Sequence, residues 1–226
     1  MLVLALDTTT KGGSCALARL DVVLHERPGD PGQPHDRRLP HDLIALLEDA
    51  DVAIDEVDAY AVATGPGSFT GLRIGIATMQ GLAFAADKPL LGVSAFDALA
   101  RQAGARGRVA TWIEAWRGDV YAALYEEGRE VEPPSVQSPA ALLPRLRGMP
   151  TMFTGDAADL HRAVILDALG ADARIADPAS PPLAGLIAVM AGDLARAGHR
   201  PPPHAVRPVY VRRPDPEPAR DARPVR

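Results

Sequence analysis

The order of apolar patterns along this chain is the feature that most restricts its fold. Three short apolar or β-branched runs come first and predict a meander of strands, over residues 1–7, 14–20 and 22–27. A helix, a strand and a second helix are predicted next, over 39–50, 59–64 and 68–86. The first helix has apolar residues at intervals of three and four, the spacing of an amphipathic helix. This βββαβα order indicates an α/β protein.

The second half of the chain repeats this order. A strand at 89–93 and a helix at 94–102, which Ser94 could cap, complete the first half. The second half gives predicted strands at 108–114, 119–125, 129–132 and 151–154, and helices at 140–147, 158–169 and 183–197. No convincing sequence identity relates the halves, so the duplication rests on element order alone. Two such units side by side describe the two-lobed actin-like fold, which is ribonuclease-H-like and also called ASKHA.

This fold predicts three regions. Residues 1–104 form an N-terminal lobe, residues 105–200 form a C-terminal lobe, and residues 201–226 form a tail rich in Pro and Arg. Beyond about residue 215 the composition of the tail predicts disorder. The whole chain is 47 % apolar and 23 % charged, which is typical of a globular protein.

Composition also bears on the protein's surroundings and partners. A single cysteine, Cys15, excludes a disulfide framework and fits a reducing compartment. No apolar run reaches the length of a membrane span, and the N-terminus lacks the basic region of a signal peptide, so we expect a cytoplasmic protein without a membrane partner. The net charge of −5 argues against a protein that binds nucleic acid mainly through its own positive electrostatic field.

The segment GPGSFTG, residues 65–71, lies between a predicted strand and a predicted helix. Its glycines allow close approach of a ligand, and free N–H groups at a helix N-terminus attract anions, so a phosphate or acyl-phosphate site is one interpretation. The other is structural: Ser68 caps the helix and the glycines shape a turn. No Lys follows the glycines, so the segment is not a Walker loop.

A polar cluster follows the first strand, where Asp7 and Thr8 begin the run DTTT. An Asp at a strand end can orient Mg²⁺ through water and the hydroxyls can contact phosphate, but a polar β-turn explains the same residues. Glu114 ends the first strand of the second lobe, as an opposing carboxylate would. Since no second glycine-rich loop is evident, we do not expect ATP hydrolysis.

The helix at 68–86 carries apolar or small residues on two adjoining faces, and therefore packs on two partners. One partner is the sheet of its own lobe, and the other is the helix at 39–50 or a second protein chain. Histidines offer no metal pair at helical spacing, because His35 and His41 stand six apart and no HxxxH occurs. We expect no metal and no other cofactor.

Five segments together resemble the TsaB (YeaZ) family: MLVLALDTTTKGGSCAL, HDRRLPHDLIALL, ATGPGSFTGLRIGIATMQGLA, WRGDVYAALY and RPVYVRRPD. They occur in the family's order from residue 1 to about 215, and GPGSFTGLRIG is highly specific. The resemblance implies a non-catalytic subunit of the machinery that makes threonylcarbamoyladenosine (t6A) in tRNA. In that family the paralogous subunit TsaD transfers the threonylcarbamoyl group to the adenosine beside the anticodon of tRNAs that read ANN codons.

The resemblance also implies partners. TsaB pairs with TsaD, and the small ATPase TsaE joins the pair. The TsaB subunit contacts tRNA only indirectly, through the complex. Without TsaD the family forms homodimers, through its first two helices packed as a four-helix bundle. Carried onto this chain, the implied interface residues are Leu39, Leu43, Leu46, Leu47, Gly71, Leu72, Gly75, Ile76 and Met79. We expect Ile76→Glu or Leu43→Glu to abolish pairing and to leave the fold intact.

Three points stay open at this stage. A remnant anion or nucleotide site is possible at Asp7, Thr8, Gly65, Gly67 and Ser68. The family usually carries Asp-Ala-Arg where this chain has Glu-Ala-Trp at 114–116, which puts any anion contact of that Arg in doubt. The alternatives to a scaffold are an ATP-dependent phosphotransferase or ATPase, and a glycoprotease-like peptidase, against which the missing metal pair and catalytic triad weigh.

Overall fold

The computed structural model describes residues 1–104 and 106–212, and within them ten strands form two five-stranded sheets. The first sheet contains β1 (Leu2–Asp7), β2 (Ser14–Arg19), β3 (Val22–Pro28), β4 (Ala59–Gly65) and β5 (Leu90–Ser94). The second contains β6 (Arg108–Glu114), β7 (Val120–Glu126), β8 (Arg129–Gln137), β9 (Thr151–Thr154) and β10 (Ala173–Ile175). The predicted disorder beyond residue 215 lies outside the described residues.

The two sheets have the same topology. Their strand orders are β3-β2-β1-β4-β5 and β8-β7-β6-β9-β10. In each, the first three strands form an antiparallel meander, and the fourth and fifth extend the sheet in parallel from the first strand. The prediction of an actin-like α/β fold with duplicated units is thereby confirmed.

The helices follow the predicted order, and the described residues contain α1 (His35–Asp49), α2 (Phe69–Ala85), α3 (Ala95–Gln102), α4 (Pro139–Leu142), α5 (Asp156–Leu160), α6 (Arg162–Leu169) and α7 (Ala184–Arg196). Ser94 caps α3 as predicted, because its hydroxyl oxygen accepts a hydrogen bond from the Asp97 amide. Ser68 caps α2 in the same way. Both helices therefore begin where a local sequence signal places them.

Several boundaries differ from the prediction. Helix α1 begins four residues earlier, at His35, because the polar first turn is fixed by tertiary contacts of Arg38, which is buried. The predicted helix at 158–169 is two helices, since the backbone at His161 leaves helical geometry. The predicted helix at 140–147 is shorter, with a 3₁₀ turn after α4. Strand β10, three residues long, was not predicted, because so short a run carries no period.

Alternating side chains divide the core into three layers. Leu4 and Leu6 of β1 face α1 and α2, whereas Val3 and Ala5 face the other side, toward α3, α7 and the second sheet. The outer face of the second sheet packs on α4, α5 and α6 around Trp112. The central layer joins both lobes in one apolar core.

Helix α7 comes from the second half of the chain but packs on the first sheet. Its N-terminus is bound by that sheet: the Ser14 hydroxyl oxygen accepts hydrogen bonds from the amides of Leu183 (3.2 Å) and Ala184 (3.0 Å). Glu26 Oε1 accepts from the Gly185 amide at 2.8 Å. A side-chain cap thus connects residues about 170 positions apart in sequence.

Candidate functional site

Asp7 lies at the end of β1, next to the cleft between the lobes. Its Oδ1 accepts hydrogen bonds from the Thr9 amide (2.9 Å) and the Thr9 hydroxyl (2.7 Å). Burial raises the pKa of the Asp7 carboxyl; the bonds from Thr9 oppose this rise, and the nearby carboxylates of Asp156 and Glu26 add to it. Asp7 and Thr9 form the local hydrogen bonds of a polar turn, which is the structural alternative for this segment.

The cleft contains a cavity of about 330 Å³ that Asp7, Lys11, Glu114 and Asp156 line with neighbouring residues. The Glu114 amide donates to Asp156 Oδ1 at 3.0 Å. Burial raises the pKa of Asp156, and the Glu114 carboxylate adds to the rise. Glu114 and Asp7 thus line the same cavity, each at the end of the first strand of its sheet. Three carboxyl groups and one lysine give this cavity an acidic lining.

The GPGSFTG loop packs directly on the turn after β1. Ser68 Oγ accepts a hydrogen bond from the Gly71 amide at 3.2 Å, and the Ser68 amide donates to the Thr9 carbonyl at 3.0 Å. A Cβ atom at Gly67 would lie 2.5 Å from that carbonyl oxygen, so only glycine allows this approach. The loop's glycines and Ser68 thus serve the packing of α2, as the structural interpretation of the motif requires.

Thr8 lies beneath the start of α2 and is fully buried. Its hydroxyl has no hydrogen-bond partner among the described residues. A Cβ at Gly75 would lie 2.2 Å from this hydroxyl, so α2 approaches Thr8 through a glycine. The side chain of Thr8 points into the packed contact between β1 and α2 rather than into the cleft cavity, whose lining does not include it.

The five residues considered for a remnant anion site are therefore not gathered around one cavity. Asp7 lines the cavity of the cleft, whereas Gly67 lines a second cavity, also about 330 Å³, with Trp116 and Tyr210. Gly65 is buried beside Leu72, and a Cβ there would also lie 3.0 Å from the Val209 carbonyl oxygen.

The Glu-Ala-Trp sequence at 114–116, which differs from the family's Asp-Ala-Arg, ends β6 and begins the turn to β7. Trp116 and Arg117 both have positive φ, 57° and 61°, and the Trp116 side chain is 41 % exposed. A guanidinium group reaches this turn from elsewhere, since Arg212 Nη1 donates to the Ala115 carbonyl at 2.9 Å and Nη2 pairs with Asp119 at 2.5 Å. Sequence reasoning did not identify Arg212 here, because no local pattern connects it to residue 115.

The interface residues that the resemblance implies lie on α1 and α2, and most of them are also covered by the chain itself. Eight of the nine are buried by the chain's own packing: Leu39, Leu43, Leu46, Gly71, Leu72, Gly75, Ile76 and Met79. Only Leu47 is partly exposed. Ile76 and Leu43 are 4 % and 6 % exposed, so a glutamate at either would bury a charge in the monomer. Their burial argues against the expectation that these two variants leave the fold intact.

The outward faces of α1 and α2 carry a second apolar stripe. Between the helices lies an open groove of about 1090 Å³. Its lining includes Pro40, Leu43, Ile44 and Leu47 of α1, Ala77, Thr78, Gly81 and Leu82 of α2, and Ile54 of the 3₁₀ turn Ile54–Glu56. Ile44 and Ile54 are 54 % and 43 % exposed. The signal for this stripe was in the sequence, because Pro40, Ile44 and Leu47 repeat the helical spacing one residue after the buried stripe.

The histidines and the helices bear on metal binding and on membrane insertion. Among residues 1–104 and 106–212, no three His, Cys, Asp or Glu side chains are grouped as a metal site would need. His35 and His41 both lie in α1. His35 Nε2 lies 3.0 Å from the Thr10 carbonyl oxygen and Nδ1 lies 2.8 Å from Arg38 Nη2, so both ring nitrogens face protein partners. The described helices include none with the length and hydropathy to span a bilayer.

Comparison with known proteins agrees with this architecture. The profile of the family described as TsaD, tRNA N6-adenosine threonylcarbamoyltransferase, matches residues 26–198. The structure of (R)-2-hydroxyglutaryl-CoA dehydratase component A from Acidaminococcus fermentans superposes with a TM-score of 0.58 at 12 % identity, covering 87 % of this chain and 99 % of that one. The duplicated sheets, the lobes facing a cleft and these matches define an actin-like protein of the TsaD type.

Relatives of higher sequence identity indicate a more specific family. The TsaB protein of Bacillus subtilis, a tRNA threonylcarbamoyladenosine biosynthesis protein, is 34 % identical over 179 residues, covering 75 % of this chain and 77 % of that protein. The structure of YeaZ from Pseudomonas aeruginosa superposes with a TM-score of 0.73 at 30 % identity, covering 92 % of this chain and 99 % of that one. An uncharacterized protein of Mycobacterium leprae is 31 % identical over 226 residues. The match covers 96 % of this chain but 56 % of that protein, which is longer. The chain belongs to the TsaB (YeaZ) family.

Proposed function

We propose that this chain serves t6A biosynthesis as a non-catalytic subunit that pairs with TsaD and supports threonylcarbamoyl transfer to tRNAs reading ANN codons. TsaE joins the pair, and two copies of the chain pair when TsaD is absent. Family membership supports the pathway. The observation that carries the pairing role is the open apolar groove between α1 and α2.

The groove has the composition of a helix-binding surface. Ile44 and Ile54 project apolar surface that burial against a partner would remove from water. Ala77 and Gly81 are small and exposed, so a partner helix can approach the backbone of α2 closely. At Gly81 a Cβ would have no neighbour within 4 Å, which leaves room for a foreign side chain. These features favour a bundle in which two partner helices lie across α1 and α2.

The rim of the groove favours one kind of partner. Glu48, Asp51 and Glu56 line it and carry negative charge, and no basic residue is among its lining. A partner helix pair with an apolar face and basic flanks would complement this surface, since opposite charges at a rim favour encounter and register. A second copy of this chain would bring like charges to the rim. We therefore propose that TsaD pairs more tightly than a second copy.

The arrangement around the cleft supports a role without bond chemistry. The Ser68 hydroxyl caps α2, and the carboxyl groups of Asp7 and Asp156 have raised pKa values in an acidic cavity. An acidic cavity disfavours the phosphates of ATP unless cations accompany them. We propose that the residues Asp7, Thr8, Gly65, Gly67 and Ser68 are a vestige of a nucleotide site and now stabilise the contact between β1 and α2.

A pairing experiment tests the groove. Ile44→Glu places a charge on the exposed stripe, and we expect it to weaken binding to TsaD by about a hundredfold or more, with the thermal stability of the monomer unchanged. Leu160→Glu is the matched control, because Leu160 is 64 % exposed on α5 of the other lobe. Gly81→Leu fills the groove without adding charge and should weaken binding as well. Full binding by both groove variants would refute the interface.

A reconstituted reaction tests the absence of catalysis. Threonylcarbamoylation of a cognate tRNA by TsaD, TsaE and the separate synthase that makes the activated threonylcarbamoyl intermediate is measured with and without this chain. We expect the reaction to require the chain and to survive Asp7→Ala and Ser68→Ala in it, provided that the variants fold. Activity lost in a folded variant that still binds TsaD would show that the chain handles a ligand itself. Titration with Mg-ATP by calorimetry would then decide for an ATPase or phosphotransferase.

A further inference from the structure

The segment after α7 returns to the first lobe and runs along α2. Gln80 of α2 donates from Nε2 to two carbonyl oxygens of this segment, those of Pro203 (3.1 Å) and Val206 (3.0 Å). The Val206 side chain is 7 % exposed and belongs to the core beneath α2. One end of the segment is therefore fixed on the first lobe by buried contacts.

The middle of the segment contacts the GPGSFTG loop and the first turn of α2. The Val209 amide donates to the Thr64 carbonyl at 2.8 Å. The Tyr210 ring lies 5.0 Å from the Phe69 ring, and the Tyr210 hydroxyl accepts a hydrogen bond from Arg73 Nε at 3.0 Å. The Arg73 guanidinium also covers the Phe69 ring at 3.8 Å, a cation–π contact.

The far end of the segment reaches the second lobe. Arg212 donates to the Ala115 carbonyl and to Asp119, which lie in the turn between β6 and β7. Two backbone hydrogen bonds between described residues close that turn, from the Ala115 amide to the Asp119 carbonyl (3.1 Å) and from the Asp119 amide to the Trp116 carbonyl (3.2 Å). It also contains the positive φ values of Trp116 and Arg117, so contacts from outside help to fix its conformation.

We propose that residues 206–212 form a clasp that joins the two lobes and sets the width of the cavity between the GPGSFTG loop and the turn at 115–119. That cavity is lined by Gly67 from the first lobe, Trp116 from the second and Tyr210 from the clasp itself. The clasp therefore connects the two sides of this cavity through contacts within the chain.

A long-range effect distinguishes a clasp from two unrelated local contacts. Tyr210→Ala removes the contact with Phe69 and Arg73 on the first lobe. A clasp predicts faster amide exchange in the turn at 115–119 of the second lobe. Arg212→Ala should raise exchange in the same turn by about tenfold or more, because a charged hydrogen-bond donor is lost. The matched control is Arg207→Ala, since Arg207 is exposed and makes no ion pair or hydrogen bond with any residue that the structure describes.

Tryptophan fluorescence gives a second readout. Trp112 is 1 % exposed and Trp116 is 41 % exposed, so quenching by acrylamide reports on Trp116. We expect more quenching in Tyr210→Ala, in Arg212→Ala and in a chain ending at residue 205. A chain ending at residue 212, which keeps the clasp, is the reference for the chain ending at residue 205. The clasp is refuted if folded Tyr210→Ala leaves both exchange at 115–119 and quenching unchanged, or if the chain ending at 205 behaves like the one ending at 212.

Discussion

The cap of α7 by Ser14 offers the sharpest test of how the lobes are joined. In Ser14→Ala the amides of Leu183 and Ala184 lose their shared acceptor, and both residues are buried. The Ser14 hydroxyl also donates to Glu26 Oε1 at 3.3 Å, so the carboxylate loses a donor too. Glu26 keeps its bond from the Gly185 amide and continues to favour the helix N-terminus electrostatically.

The expected cost follows from these bonds. Loss of a helix N-cap costs about 1 kcal/mol, and a buried donor left without a partner costs about 1–3 kcal/mol. With two donors affected and Glu26 compensating in part, we expect Ser14→Ala to lower the free energy of unfolding by about 3 kcal/mol. For a chain of this size that corresponds to a fall in Tm of about 6–12 °C.

Urea denaturation and amide exchange in α7 measure this effect, with two matched serine controls. Ser94→Ala removes a local cap with one hydrogen bond and should cost about 1 kcal/mol. Ser138→Ala removes an N-cap residue whose side chain makes no capping bond, and should cost less. If Ser14→Ala were no more destabilising than Ser138→Ala, the cross-lobe cap would contribute nothing and the reasoning would be refuted.

Two further predictions concern the turn after β1. Thr8→Val replaces a buried hydroxyl without a described partner by a methyl group, so we expect the free energy of unfolding to rise by about 1 kcal/mol, and a lower Tm would contradict this. Asp7→Asn keeps an oxygen for Thr9 but cannot ionise. Burial raises the pKa of Asp7, so the protonated carboxyl favours the folded state. The stability that Asp7 contributes is complete below its pKa in the unfolded chain and is lost as the pH rises through its pKa in the folded chain. Urea midpoints should therefore show Asp7→Asn gaining stability over the parent at pH 7 and not at pH 3, and equal differences at both pH values would refute the assignment.

Local signals explain why much of the fold was predictable. Each lobe's βββαβα order appears as short apolar runs and helical spacing, and the caps at Ser68 and Ser94 are formed within three residues. Local signals of this kind could not predict how the residues of the candidate site are arranged. Asp7 and Glu114 were placed at strand ends, but sequence alone left open whether the glycines of GPGSFTG admit a ligand or only shape a turn. The structure shows that Gly67 packs on Thr9.

The helices of the proposed interface, α1 and α2, show the limit most clearly. On α1, the stripes that begin at Leu39 and at Pro40 are both apolar and differ by one residue, so helical spacing identifies two candidate faces without choosing between them. The sheet makes the choice, because Leu4 and Leu6 of β1 take Leu39 and Leu43 into the core and leave Ile44 outside. A substitution at Ile44 therefore tests the proposed pairing without placing a charge in the core.

The sequence by itself determined the order of the elements, the duplicated architecture, the family and the local caps, because each depends on residues close together in the chain. Tertiary structure decided which helix faces stay exposed, that α7 returns to the first sheet under Ser14, and that Arg212 reaches the turn at Asp119. These contacts join residues about 90 to 170 positions apart. No local pattern encodes such pairs, because they form only when two sheets and the helices between them pack into one core.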